Sequence, residues 1–238
     1  METTIHLGEM RVDVVLKDIK NVHLSVYPPH GAVRIAAPSR MTLDLIRVYA
    51  ISKLGWIKKQ QQKLRAQERE TTREFVGRES HFVWGKRYLL SLMQADAPPC
   101  VELRHKHLVL TTRPGADEHK RRHVMEDWYR TQVKLATEKL IAKWEPTLGV
   151  TVSGFYVQRM KTRWGSCNSR AQTIRLNTDL AKKPRDCLEY IVVHEMIHIL
   201  EPTHNERFQH LMGHFMPDWE HRRQVLNRLP VRHEEWEY

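Results

Sequence analysis

The sequence predicts an α+β protein in two parts, a β-rich region at residues 1–115 containing one long helix and a helix-dominated region at 116–238. Three observations carry this expectation. Short apolar stretches bounded by turn residues fill 5–37 and 75–113, as strands do. Apolar residues recur at helical spacing over 43–57. The stretch 187–200 is apolar enough to be a buried helix. With 238 residues, 41% of them hydrophobic, the chain can bury one sizeable core or two smaller ones.

In chain order, 12–16, 22–26 and 32–36 read as antiparallel strands, with Pro28, Pro29, His30 and Gly31 as a turn. Thr42 caps a helix running to about Glu74, with Leu43, Ile46, Tyr49, Ala50, Leu54 and Ile57 on one face. Beyond Gln60 this helix is polar and projects into solvent. Gly85 and Lys86 form a hairpin turn between strands at 81–84 and 88–92, and a second pair of strands lies at 101–104 and 107–110. Asp117 caps a helix to about Trp144, which Pro146 keeps apart from the next stretch. Then come a strand near 155–160, a loop at 163–167, a strand at Thr173–Asn177, a helix from about Pro184, and closing helices at Glu206–Phe215 and 219–229. No internal repeat is evident.

The helix from Pro184 contains the most informative residues. His194, Glu195 and His198 form a His-Glu-x-x-His motif, and His204 lies a short way beyond it. On a helix, His194 and His198 lie one turn apart on one face, where both rings can reach one ion. Pro202 turns the chain so that His204 can return to the same point. Three imidazoles leave the fourth position of a tetrahedral zinc site for water, whose proton the adjacent Glu195 carboxylate can accept. Histidine and glutamate within a buried helix need partners, and a metal supplies them.

Around this motif, residues 163–167 (Arg-Trp-Gly-Ser-Cys), 174–177 (Ile-Arg-Leu-Asn), 190–198 and 201–204 (Glu-Pro-Thr-His) resemble the YgjP-like metallopeptidases, relatives of the SprT-like proteases. The segment from His204 to Phe208 is also similar to the third-histidine element of the SprT-like group. The close likeness covers about 155–230. It implies a zincin-like C-terminal region in which zinc is held by His194, His198 and His204, with Glu195 as the base for attack of a metal-bound water on a peptide bond. The His194-to-His204 spacing equals that of the metzincins, whose glycine is replaced here by Glu201. Glu201 and Pro202 must therefore solve that turn differently. Met212 and Met216 admit a Met-turn reading, but their helical spacing with Phe208, Leu211 and Phe215 favours core packing.

Other features admit two readings. Thr173–Asn177 is either an edge strand that pairs with extended substrate or an interior strand. Cys167 is a nucleophile or ligand, or a small buried residue; His210 and His214 are a rival ligand pair or surface residues. Net charge is +11, and Arg159, Lys161, Arg163, Arg170 and Arg175 form an acid-free strip, either solvated surface or a site for nucleic acid. A nucleic-acid-associated or adaptor protein with structural zinc is thus the alternative to a peptidase acting on protein or peptide. Three scattered cysteines suit a reducing compartment. The start lacks a signal-peptide pattern and no apolar run nears the ~20 residues of a membrane span. These features predict a cytoplasmic protein without a membrane partner.

Overall fold

The computed structural model describes residues 2–27, 31–66 and 73–230. Contacts divide the chain into two units, the first at residues 1–71 and the second at 72–229. The hairpins at 80–112, which the sequence groups with the N-terminal strands, fall in the second unit. The reason is burial: Val83, Leu90, Leu108 and Leu110 share one core with Met125, Tyr129 and the histidine-bearing helix.

In the first unit, alternation of apolar and polar residues builds β1 (Glu2–Leu7), β2 (Met10–Lys17), β3 (His23–Tyr27) and β4 (Ala32–Pro38), in sheet order β1-β2-β4-β3. β4 enters between its two neighbours, antiparallel to β3 but parallel to β2, which corrects the all-antiparallel expectation. Its Val33, Ile35 and Ala37 are buried while β3 is only partly covered, so the more apolar strand takes the centre. Of the expected turn at 28–31 only Gly31 is among the described residues; its φ of 81° requires glycine.

The single helix expected from Thr42 is two, α1 (Leu43–Ser52) and α2 (Leu54–Ala66). Thr42 caps the first by accepting from the Leu45 amide. The break at Lys53 lies between Ser52 and Gly55, which hold a helix weakly. Ile46, Ala50 and Ile57 are fully buried in the core of this unit. Gln61, on the half expected to project into solvent, donates to the Gly31 carbonyl at 2.7 Å.

The second unit opens with β5 (Ser80–Val83), β6 (Lys86–Gln94), β7 (Cys100–Arg104) and β8 (His107–Thr112), in order β5-β6-β8-β7. Here too the central pair, β6 with β8, is parallel and the outer pairs are antiparallel. The two sheets therefore repeat one topology that the sequence does not reveal. The β5–β6 turn is formed by Trp84 and Gly85, at φ 50° and 79°, and not by Gly85 and Lys86, because Val83 pairs with Lys86.

Next comes α3 (Glu118–Leu148), capped by Asp117, whose carboxylate accepts from the Lys120 amide at 2.8 Å. It passes through Pro146 and stops at Gly149, φ 66°. A proline this close to the helix end forfeits one hydrogen bond, so the chain turns off only where glycine permits the left-handed conformation. Met125, Tyr129, Val133, Thr137 and Ile141 recur every four residues as its buried face.

β9 (Gly154–Gln158), β10 (Gly165–Asn168) and β11 (Thr173–Asn177) form a sheet in the order β10-β11-β9. β11 is thus interior and the edges are β10 and β9, β10 arising largely within the segment expected as a loop. A 3₁₀ turn at Thr178–Lys182 leads to α4 (Arg185–Leu200), α5 (Glu206–Phe215) and α6 (Trp219–Arg228). α4 is buried on nearly every side, including Leu188, Val192, Val193, Met196 and Ile197. The Trp84–Gly85 tip fastens its approach: the Trp84 amide donates to the Ala181 carbonyl at 2.7 Å, and the Arg185 guanidinium lies 4.4 Å from the Trp84 ring centre. Among the described residues no helix is long and apolar enough to cross a membrane.

Candidate metal centre

Helical spacing puts His194 and His198 on one face of α4, and their ring centres lie 4.9 Å apart. The helix ends at Glu201, whose extended conformation (φ −140°, ψ 101°) makes the turn without a glycine. Glu201 does this with two groups. Its carbonyl faces His198 Nδ1 at 3.0 Å, and its carboxylate accepts from the Thr203 hydroxyl at 3.0 Å. Asn205 then caps α5 by accepting from the Phe208 amide at 2.9 Å. The turn returns His204 to the cluster, its Nε2 lying 3.0 Å from His194 Nε2 and 3.1 Å from His198 Nε2.

Phe208 closes the base of this cluster. It is 2% exposed, stacks on His198 at 4.7 Å and meets His194 and His204 edge-on at 4.9 and 4.8 Å. The sequence marks Phe208 by resemblance and as a core-packing neighbour of Met212 and Met216, and not as the base of the cluster.

The donor set suits a cation. One nitrogen from each ring lies within 4.8 Å of the others. Burial, then the neighbouring His198 and His204, push the His194 imidazole down to about 3, so it is neutral and keeps a lone pair at physiological pH. His204 is shifted the same way, by burial and then by His198. The contact with the Glu201 carbonyl calls for a proton on His198 Nδ1 and leaves its Nε2 lone pair for the cluster. Two nitrogens bound at ~2.05 Å to a tetrahedral zinc lie about 3.3 Å apart, close to the separations seen. The rival pair, His210 and His214, is exposed on α5 and acquires no third ligand among the described residues.

Glu195 lies outside the group of three ligand nitrogens, lines the same cleft and packs against β10. A Cβ added to Gly165 would lie 2.5 Å from Glu195 Oε1 and 2.8 Å from its Cγ. Only glycine leaves room for the carboxylate here. Glu195 is 5% exposed, and burial pushes its carboxyl up to about 8 against an opposing pull from the Arg163 guanidinium. A cation in the histidine cluster favours the ionised form again.

The β10 wall is held by Asn177 at the end of β11. Its Nδ2 donates to the carbonyls of Met160 and Arg163 at 2.8 and 2.9 Å, and its amide donates to the Trp164 carbonyl at 2.9 Å. The Lys183 ammonium lies 5.8 Å from the Trp164 ring centre. Arg163 and Trp164 belong to this clamped loop. The result is an open cleft of about 360 Å³ lined by Arg163, Gly165 and Cys167 on one side and His194, Glu195 and His204 on the other. Burial first, then Glu195, push the Cys167 thiol up to about 11, which keeps it protonated and a poor nucleophile or ligand. Met212 and Met216 are buried in the core.

A family model describing the YgjP-like metallopeptidase domain matches residues 20–229. The chain belongs to this family. It is a metallopeptidase, and among its described residues His194, His198 and His204 form a group that could hold a metal ion. No curated protein matches it. Among solved structures it is similar to the metallopeptidase zymogen jannalysin of Methanocaldococcus jannaschii, at 20% identity over 38% of this chain and 87% of that one, with a TM-score of 0.35. It is also similar to the zymogen abylysin of Pyrococcus abyssi, at 18% identity over 40% of this chain and 98% of that one, again with a TM-score of 0.35.

Proposed function

We propose that this YgjP-like chain is a zinc-dependent peptidase in which His194, His198 and His204 hold the ion and Glu195 moves the proton. One observation carries the reading: three imidazoles whose nitrogens converge and a buried carboxylate outside that ligand group meet on one open cleft. A zinc ion held by three nitrogens supplies Lewis acidity to the scissile carbonyl and the attacking water. Glu195, fixed against Gly165, takes the proton of that water and hands it to the leaving amine. The free edge of β10 offers backbone groups to an extended peptide, a mode of pairing that tolerates many side chains. Phe208 shields the rings from water on the opposite side. Free Cys100, Cys167 and Cys187 suit a reducing, cytoplasmic setting.

The test is metal content and cleavage of an unstructured protein substrate. Wild type should carry about one zinc per chain, and His194→Ala, His198→Ala and His204→Ala should lose it. Glu195→Gln should keep the zinc and the fold while hydrolysis falls by a factor on the order of 10²–10⁴. Equal cleavage by wild type and Glu195→Gln would refute the assigned base.

A second reading is favoured by the exposure of Arg159, Lys161, Arg170 and Arg175. Nucleic acid bound there would recruit or stimulate the enzyme or, if the zinc were purely structural, would itself be the functional partner. Retained zinc with no hydrolysis, with and without nucleic acid, would move the balance to this reading.

A further inference from the structure

Arg163 stands on the cleft beside Glu195, yet its guanidinium makes no hydrogen bond or ion pair among the described residues. Its backbone is the opposite, clamped through its own carbonyl and that of Trp164 by Asn177. A cationic head that feels Glu195 across the cleft but holds no hydrogen bond among the described residues, carried on a fixed root, loses little freedom when it takes a ligand. Ser166, Cys167, Ser169 and Pro202 complete the lining without charge. The planar guanidinium fork matches a carboxylate with two parallel hydrogen bonds.

We propose that Arg163 is a specificity-determining residue that receives a carboxylate of the bound peptide, so that an aspartate or glutamate flanking the scissile bond is preferred. This rests on the peptidase reading above. Register gives the position. Arg163 lies two residues before Gly165, which abuts Glu195. At ~3.3 Å per strand residue, a peptide running along β10 therefore offers its acid within about two residues of the bond being cut.

The experiment scans a single glutamate, against glutamine at the same place, through positions flanking the cleavable bond of a neutral peptide. Binding is measured by fluorescence polarisation on full-length, zinc-loaded Glu195→Gln protein, and hydrolysis on wild type. One position should bind glutamate roughly tenfold more tightly than glutamine. The difference should vanish when Arg163→Gln is added, survive in part with Arg163→Lys, and shrink as salt rises. Because Arg163 is exposed, the variants should unfold at the wild-type temperature, which a thermal melt checks. A flat scan by protein that binds and cuts the peptides overturns the inference and leaves the peptidase reading intact. Equal losses for glutamate and glutamine peptides in Arg163→Gln also overturn it, assigning Arg163 to the backbone or the oxyanion. Neither binding nor hydrolysis of any peptide overturns the peptidase reading and this inference with it.

Discussion

Gly165 and Glu195 show how far a single atom governs this site. A methyl group at 165 would overlap the carboxylate, so Gly165→Ala must displace Glu195 or the β10 strand. Displacement of a reacting group by ~1 Å costs on the order of 10² in rate. Gly165→Ala should therefore cut hydrolysis by about that factor while zinc content stays at the wild-type level; unchanged turnover would count against the contact. His194, Glu195, His198 and His204 were legible in the sequence because helix periodicity and one proline turn relate them locally. Gly165 and Asn177 had no legible role, and Phe208 was legible only as a core residue. Gly165 meets Glu195 only through packing of β10 on α4, and no spacing rule reports that register. Phe208 lies near His204 in sequence, but its place beneath three rings depends on how α5 folds back.

At the scale of elements, α4 is tied to its neighbours by one side chain. Glu189 accepts from Lys143 at 2.7 Å and Trp144 at 3.0 Å on α3, and from Arg222 at 2.7 Å on α6. Burial alone would raise this carboxyl, but the three hydrogen bonds outweigh it and hold it at about 2. Since the folded value is depressed from 4.5, its stabilisation is present above that pH and is lost as pH falls towards 2. Glu189→Gln should cost about 1–2 kcal/mol at neutral pH, allowing for solvent screening, and should flatten the acid limb of the stability curve. Thermal melts from pH 7 down to pH 2 check this; parallel curves for the two proteins would contradict it. Element boundaries were legible where a side chain caps them, as Thr42, Asp117 and Asn205 do. They were not legible where the outcome depends on a partner. The parallel placing of β4 and the interior position of β11 are set by competition for buried area, which local sequence does not encode.

For the molecule as a whole, charge should act over longer distances than the cleft. If the exposed Arg159, Lys161, Arg170 and Arg175 contact phosphates, affinity for labelled DNA or RNA should fall steeply with salt, and replacing all four by glutamine should lower the slope of that dependence by about 3–4. Absence of binding at low salt would leave this charge to solubility. A different consequence comes from the parallel pair within every sheet: β2 with β4, β6 with β8, and β9 with β11. Partners of this kind cannot be joined by a tight turn, so each pairing waits for about twenty further residues to be made. On the ribosome the first sheet can close once β4 has emerged, and the second once β8 has. The β10 wall cannot be supported until β11 is made, and the histidine cluster lacks its base until Phe208 arrives. On the proposed reading of the cleft, a nascent chain is spared an open proteolytic centre beside unfolded polypeptide, its own included, until translation has passed residue 208.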